Sequence, residues 1–287
     1  MSAGRVKQTA LACGATAAGI VRAADLAEFK RFSEAVTMIP DGLAYLKRDP
    51  LVRKSVKKWY GPARSVLVCA FRYWTPDMDY KAALAAAGDP AAYLKRTGRK
   101  ACQAELVAAP GAKISRYALG RDYHLTVKEK LTSMLEAIKL EFPGTEGKTF
   151  CDTSPVMEKE LGRLAGLGFR GKNTLLLSRS LGSYFFLGGI ALSLDLQPDA
   201  PQDDSCGGCD QCVKACPTKA LKDGRLDAAR CLSYWTTQAK WRIPGEAAQR
   251  RQDWAYGCDL CQEACPQNKA PGQVAPGFEP NKGDVLN

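Results

Sequence analysis

Eight of the twelve cysteines lie in the last third of the chain, most of them in two groups that end in Cys-Pro. The first group is Cys206-x2-Cys209-x2-Cys212-x3-Cys216-Pro217, and the second is Cys258-x2-Cys261-x3-Cys265-Pro266. The first spacing is typical of bacterial proteins that bind two [4Fe–4S] clusters, in which the fourth cysteine ligates the other cluster. Three thiolates on a tight loop hold one cube, and the fourth is directed away from it. The two groups therefore predict a ferredoxin-like module.

The second group has one cysteine fewer than the first, so a residue outside it must complete its cluster. Cys231 is the obvious donor. We expect one cluster on Cys206, Cys209, Cys212 and Cys265, and the other on Cys216, Cys231, Cys258 and Cys261. A zinc site is the alternative, which the spacing disfavours. The remaining cysteines are expected to be small buried hydrophobes; they are Cys13, Cys69, Cys102 and Cys151.

The bulk composition is that of an ordinary globular protein without a membrane span. The chain has 287 residues, of which 46% are hydrophobic and 25% charged. Its longest apolar run, Tyr184 to Leu196, is too short to cross a bilayer and contains two glycines. The N-terminus is expected to form an amphipathic helix, with a signal peptide as the alternative. Cysteine-rich secreted scaffolds are usually short. Metal binding in a reducing cytoplasm is therefore the expectation for these cysteines.

The net charge of +11 is concentrated in two basic stretches, Lys47 to Arg64 and Lys95 to Lys130. A basic surface attracts polyanions, and RNA is one of them. The alternative is a solvated basic face, and charge by itself does not separate the two.

The expected fold class is α+β, with two domains and a tail. Helices are predicted for 5–18, 24–35, 41–48, 79–106 with a break at Asp89-Pro90, and 122–141. Strands are predicted for 65–73, 174–177 and 184–196, and another ends at Phe150. Pro155 is expected to open a helix capped by Thr153 or Ser154. The expected boundaries are 1–196 for a catalytic domain, 197–270 for the iron–sulfur domain and 271–287 for a loose tail.

Two features upstream of the cysteines suggest a ligand site. Asp152 stands between a strand end and a helix start, which suits a carboxylate that projects into a cleft. Simple capping of the helix is an equally good interpretation. The glycines around Lys172 would let the backbone approach a flat or bulky ligand closely, or they form turns between strands.

Several motifs together resemble the epoxyqueuosine reductase family. They are Asp152-Thr-Ser-Pro, Gly168-Phe-Arg-Gly-Lys-Asn173, Gly182-Ser-Tyr-Phe-Phe-Leu-Gly188, Arg230-Cys-Leu-Ser-Tyr234 and the paired cysteine groups. The resemblance covers roughly residues 5–270. It implies a nitroreductase-like domain that holds base-off cobalamin, followed by the 2×[4Fe–4S] module. It also implies relatedness to reductive dehalogenases and a reaction that reduces epoxyqueuosine in tRNA to queuosine.

The resemblance also assigns residues. Asp152 matches the proton donor, and the eight cysteines match the cluster ligands, Cys231 included. Lys172, Asn173, Ser183, Ser233 and Tyr234 match segments that line the corrinoid. Arg116, Tyr123 and His124 match a further segment of the site. The lone histidine is expected to be a structural hydrogen-bonding group rather than a cobalt ligand.

Two departures from the family bear on the substrate. Family members usually continue into a helical-repeat domain that grips tRNA, whereas this chain stops at Asn287. It also carries extra residues between Trp74 and Lys113. The sequence predicts a cytoplasmic, monomeric oxidoreductase that takes electrons from reduced ferredoxin or flavodoxin. Its substrate is epoxyqueuosine in tRNA or, alternatively, a small electrophile such as a halogenated compound. A further alternative is a non-enzymatic dicluster electron carrier.

Overall fold

The structure is a computed structural model that describes residues 2–109, 111–202 and 204–280. The strands are β1 (Ala17–Arg22), β2 (Ser65–Arg72), β3 (Lys113–Ile114), β4 (Gly147–Phe150), β5 (Phe169–Arg170), β6 (Leu176–Leu177), β7 (Phe185–Leu192), β8 (Leu221–Lys222), β9 (Arg225–Leu226) and β10 (Trp254–Tyr256). The main sheet is antiparallel and has the order β1-β2-β7-β4.

Helices surround this sheet and connect it to the cysteine-rich region. They are α1 (Ser2–Ala12), α2 (Phe29–Val36), α3 (Val56–Trp59), α4 (Tyr80–Ala87), α5 (Pro90–Arg96), α6 (Ala104–Val107), α7 (Tyr123–Glu141), α8 (Glu158–Leu164), α9 (Gln211–Ala215), α10 (Leu232–Thr237), α11 (Gly245–Gln249) and α12 (Leu260–Glu263). Short 3₁₀ segments lie at Asp41–Lys47, Pro50–Lys54, Arg116–Ala118, Ala228–Arg230 and Pro266–Lys269. Among the described residues, no helix combines the length and apolar character needed to cross a bilayer.

The central strand β2 shows why the sheet is covered on both faces. All eight of its residues are buried. Because side chains alternate across a strand, Leu67 and Phe71 join one apolar cluster while Val66 and Val68 join the other. The first cluster contains the buried face of α7, and the second contains Leu161 of α8. A strand with two apolar faces is the expected centre of such a layered fold.

The cysteine-rich region is joined to the sheet domain by backbone pairing and by packing. Strand β10 pairs in parallel with β3, so the region is connected to the segment before α7. Residues 270–280 then return to the sheet domain. The buried guanidinium of Arg72 donates to the carbonyl oxygens of Ala270 and Pro271, and Phe278 packs on Phe71 with ring centroids 5.6 Å apart.

The structure confirms the predicted strand at 65–73 and the helices on either side of Asp89-Pro90. Several expectations need correction, among them the burial of Cys102, which is exposed. Helix α1 ends at Ala12 because Gly14 takes a left-handed conformation with φ of 93°, and the chain then forms β1. Helix α8 begins at Glu158 rather than Pro155. Residues 271–280 are not loose, since Ala275 and Phe278 are buried; residues 281–287 of the expected tail lie outside the described residues.

Candidate active site and cluster centres

Within each of the two expected cysteine sets, several thiols lie near one another. In the first set, burial raises the pKa of the Cys212 thiol, and the nearby Cys206 and Cys265 raise it further. Cys265 in turn lies near Cys206 and Cys209. In the second set, burial and then Cys258 and Cys231 raise the pKa of Cys261, while Cys231 lies near Cys216. Cys212 also contributes to the raised pKa of Cys261, so the two sets are adjacent.

Backbone N–H groups point at several of these sulfurs, as thiolate ligands of a cluster require. Cys206 Sγ accepts from Lys172 N–H at 3.4 Å, and Cys216 Sγ accepts from Ala220 N–H at 3.3 Å. Cys231 accepts from the N–H groups of Tyr234 and Ser233. Hydrogen bonds to cluster sulfurs are one way in which proteins set cluster potentials. In the described part of the chain, no three Cys, His, Asp or Glu side chains are grouped to hold a single metal ion. Eight thiols in two sets fit two four-iron cubes.

The hairpin β5–β6 brings Lys172 and Asn173 to the first cysteine set. Lys172 Nζ donates to the Gly207 carbonyl at 2.8 Å. The Asn173 side chain is buried, and its Oδ1 accepts from Leu175 N–H at 3.2 Å. Its Nδ2 is buried and has no partner among the described residues. An orphaned buried donor is rare in native proteins, so this atom is suited to an acceptor on a bound group.

Arg116 connects the sheet domain to the second cysteine set. Its guanidinium pairs with Asp259 at 3.1 Å and Glu263 at 2.6 Å, and it lies 4.4 Å from the centre of the Tyr80 ring. Asp259, which is 1% exposed, also accepts from Ser115 Oγ. Since Asp259 follows Cys258 directly, this ion-pair network positions the second cysteine set.

Ser183, Ser233 and Tyr234 also lie close to the cysteine-rich region. Ser183 Oγ donates to Gln262 Oε1 at 2.9 Å. Ser233 and Tyr234 lie in the first turn of α10, which begins at Leu232 directly after Cys231. The Tyr234 hydroxyl accepts from Gly42 N–H at 3.3 Å and so holds the 3₁₀ segment Asp41–Lys47 against this module.

A cavity of about 1020 Å³ lies between the sheet domain and the cysteine-rich region. Its walls include Asp152 on one side and Ala220, the N–H partner of Cys216, on the other. Nine lining residues are cationic: Arg31, Arg53, Lys159, Arg163, Arg170, Lys219, Lys222, Arg225 and Arg230. Six are acidic: Glu28, Asp152, Glu158, Glu160, Asp223 and Asp227. Cations therefore outnumber carboxylates in the wall. The volume is at the upper end of the roughly 300–1,000 Å³ of ordinary small-molecule sites. The cavity is therefore suited to a large organic ligand with anionic groups.

Of the residues that the resemblance assigns to the corrinoid, Asp152 lines this cavity in the part of the chain that the structure describes. Tyr123 contacts Asp152 and stacks on Phe186, with ring centroids 4.3 Å apart. The other residues are not among those that line the cavity in the described structure, and they lie around the cysteine sets or in the Arg116 network. They are Arg116, Lys172, Asn173, Ser183, Ser233 and Tyr234.

Asp152 occupies a strained turn that directs its carboxylate at His124. Its φ of 52° is left-handed, which is uncommon outside glycine. Such strain is typical of functional sites. Asp152 Oδ2 lies 3.0 Å from His124 Nε2, and Asp122 Oδ1 lies 2.8 Å from His124 Nδ1. The imidazole therefore lies between two carboxylates.

The groups around Asp152 shift one another's pKa values in opposite directions. The hydrogen bond to His124 lowers the pKa of Asp152, and the hydrogen bond to Asp152 raises the pKa of His124. Burial, followed by the charge of Asp152, raises the pKa of Glu158 to about 8. The contact therefore favours a carboxylate on Asp152 and an imidazolium on His124, and the adjacent Glu158 carboxyl is protonated at neutral pH.

Sequence reasoning missed three residues beside Asp152. Glu158 Oε1 accepts from Asp152 N–H at 2.5 Å. Tyr45 and Arg53 come from the 3₁₀ segments, line the same cavity and interact electrostatically with Asp152 and Glu158 respectively. Arg53 Nε is buried and has no partner in the described part of the chain. Glu158 could have been predicted from the sequence, because it lies in the same polar segment as Asp152. The two 3₁₀ segments have no sequence pattern that points to the site.

Two family models match separate parts of the chain. Residues 205–268 match the model described as a 4Fe-4S double cluster binding domain. Residues 53–153 match the model described as Epoxyqueuosine reductase QueG, DUF1730. The second match includes the strand β2 and ends just past Asp152.

Curated relatives match over different lengths. The chain is 35% identical over 238 residues to the epoxyqueuosine reductase of Synechocystis sp., which is 81% of this chain and 73% of that protein. It is 45% identical over 159 residues to the enzyme of Cyclobacterium marinum, which is 55% of this chain and 51% of that protein. The chain therefore spans about half the length of several curated relatives that it matches.

Solved structures are similar over nearly the whole chain. An epoxyqueuosine reductase with an epoxyqueuosine-modified tRNA-Tyr stem loop matches with a TM-score of 0.78 and 26% identity, over 97% of this chain and 68% of that one. The Bacillus subtilis enzyme, solved with its catalytic aspartate loop swung out of the active site, matches with a TM-score of 0.74 and 26% identity over the same shares. The catabolic reductive dehalogenase NpRdhA matches with a TM-score of 0.51 and 17% identity, over 95% of this chain and 32% of that one, which indicates a shared fold alone.

The two domain matches, the alignment over most of the Synechocystis protein and the structural likeness agree. This chain belongs to the epoxyqueuosine reductase family.

Proposed function

We propose that this chain is a cobalamin- and iron–sulfur-dependent reductase that converts epoxyqueuosine to queuosine in tRNA. The observation that carries the proposal is the large cavity with Asp152 in one wall and the Cys216 loop in another. A reducible substrate bound there would lie between a proton source and an electron source. The names of the curated relatives support epoxyqueuosine as the substrate.

Cobalamin is the cofactor that we assign to this cavity. The volume suits a corrinoid, and the unpartnered Arg53 Nε and the cationic wall suit its phosphate. The single histidine of the chain faces Asp122 and Asp152, which fits base-off binding without a histidine ligand. When bound, cobalamin supplies the strongly reducing centre, and the protein positions it and excludes water. We propose that five residues around the cysteine sets help to hold the cofactor: Lys172, Asn173, Ser183, Ser233 and Tyr234.

In the proposed reaction, the residues around Asp152 handle the proton. Removing the epoxide oxygen takes two electrons and two protons, and the oxygen leaves as water. Asp152 takes a proton from His124, whose protonated form the contact favours, and passes it to that oxygen; solvent supplies the second proton. Tyr123 and Asp122 keep the two partners aligned. The exposed side chain of Asp152 can reach a substrate in the cavity.

The tRNA and the electron donor belong to the same proposal. A related reductase has been solved with a tRNA stem loop, and the basic stretch from Lys47 to Arg64 borders the cavity through Arg53. The protein would act as a cytoplasmic monomer and take electrons from reduced ferredoxin or flavodoxin. Because tRNA is a polyanion, we expect the protein to bind it tightly at low salt and more weakly at moderate salt.

The test is anaerobic reconstitution with iron, sulfide and cobalamin, followed by incubation with epoxyqueuosine-containing tRNA and a chemical reductant. Nucleoside mass spectrometry should show queuosine only when both cofactors are loaded. Bound corrinoid without queuosine, together with turnover of halogenated phenols, would favour the small-electrophile alternative. Iron–sulfur absorption without corrinoid binding would favour an electron carrier.

A further inference from the structure

The first residue of α8 supports Asp152 rather than its own helix. Glu158 Oε1 accepts a hydrogen bond from the backbone N–H of Asp152 at 2.5 Å, six positions back along the chain. An acidic residue in a first turn ordinarily interacts with the free N–H groups of its own helix. Here the N-cap residue Met157 provides no side-chain cap, and the carboxyl is directed back at the loop.

The loop before α8 needs such support because of its backbone conformation. Asp152 has a φ of 52°, a left-handed conformation that aspartate adopts more readily than most residues but less readily than glycine. The surrounding hydrogen bonds are local, from Thr153 N–H to the Cys151 carbonyl and from Val156 N–H to the Ser154 carbonyl. The Glu158 contact connects the loop to a regular helix. Without it, the Asp152 backbone could relax and its carboxylate would turn away from His124.

Apolar packing does not explain why residue 158 carries a carboxyl group. Glu158 lines the cavity, and its surroundings contain Asp152, His124, Lys159 and Arg53. Placing a carboxyl in a semi-buried site is costly unless it makes a specific hydrogen bond. The Asp152 N–H supplies that bond.

We propose that Glu158 is a positioning residue that holds the Asp152 backbone so that its carboxylate faces both His124 and the cavity. The inference rests on the proposed function in that Asp152 is its proton donor. The contact itself can be tested independently of activity, because His124 is the single histidine of the chain.

The experiment compares two variants of similar side-chain size. Glu158→Gln keeps an oxygen acceptor, whereas Glu158→Met keeps the length and removes it. Both remove the carboxyl, so the difference between them isolates the hydrogen bond. Glu246→Met is the control, since Glu246 is an exposed first-turn residue of α11. The His124 imidazole is titrated by NMR in the full chain with its clusters loaded, and Asp152→Asn marks the value without the Asp152 charge.

We expect Glu158→Met to move the His124 pKa toward the Asp152→Asn value, while Glu158→Gln and the control stay at the wild-type value. In the loaded enzyme, kcat of Glu158→Met should fall about 10- to 100-fold with little change in KM. A wild-type His124 titration in Glu158→Met, or equal displacement in Glu158→Gln, would overturn the proposal. Since that readout needs no substrate, it stands even if the assigned reaction fails.

Discussion

His124 Nε2 lies 3.0 Å from Asp152 Oδ2, although 28 residues separate the two along the chain. This contact couples the start of α7 to the strained turn after β4. It lowers the pKa of Asp152 and raises that of His124. The proposed donor is therefore ionised at rest, and the contact favours the protonated form of its partner.

The pH dependence of turnover should follow this pair. The pKa of His124 lies above its ordinary value of about 6.5, so the imidazolium is lost as pH rises through the raised value. The Asp152 carboxylate is protonated only as pH falls through its lowered value. We expect kcat to be flat between these limits and to fall on the alkaline side. His124→Gln should remove the alkaline limb and lower kcat by roughly tenfold at neutral pH. An unchanged pH–rate profile in that variant would contradict a proton held by His124.

The split of the cysteines predicts that single substitutions remove one cluster and spare the other. Cys231→Ser should lower the iron content by about half, because its set loses a thiolate while the Cys206 set is intact. Cys102→Ser is the matched control, since Cys102 is exposed and lies outside both sets. Iron analysis and EPR of the reduced protein provide the measurement. Full iron content in Cys231→Ser would remove Cys231 from the ligand set.

Arg116 should contribute to the stability of the protein rather than to the chemistry. Arg116→Gln leaves the buried Asp259 carboxylate without its cation, a change that typically costs about 3–5 kcal/mol. Arg121→Gln breaks the exposed pair with Glu129 and should cost about 0–1 kcal/mol. Urea unfolding of the loaded proteins measures the difference. If both variants lose the same small free energy of unfolding, the Arg116 network does not hold the two parts together.

Much of this arrangement could be predicted from local patterns. The cysteine spacing predicts the iron–sulfur module, whose region matches a double-cluster domain, because ligand spacing is a local property. The strand at 65–73 is predictable from its apolar run. The helix expected from Pro155 begins at Glu158 instead, because the preceding turn at Asp152 is stabilised by contacts with Glu158 and His124. These contacts are tertiary and leave no periodic signal.

The cavity wall was harder to predict for the same reason. Lys172 and Asn173 were expected at the corrinoid, and the structure puts them against the Cys206 loop. Tyr45 and Arg53 were overlooked, since short 3₁₀ segments lack a marked hydrophobic pattern. Chain topology brings these segments to the cavity that Asp152 lines, and local sequence patterns do not reveal that topology.

The most direct test of the account compares wild-type protein with Asp152→Asn, both reconstituted anaerobically with iron–sulfur clusters and cobalamin. Queuosine formed from epoxyqueuosine-containing tRNA is measured by nucleoside mass spectrometry, with iron and corrinoid content as the internal control. We predict that wild-type protein forms queuosine and that Asp152→Asn loses about 10²–10⁴-fold in rate at equal cofactor content. Wild-type rates in Asp152→Asn, or no queuosine from fully loaded wild-type protein, would contradict the account.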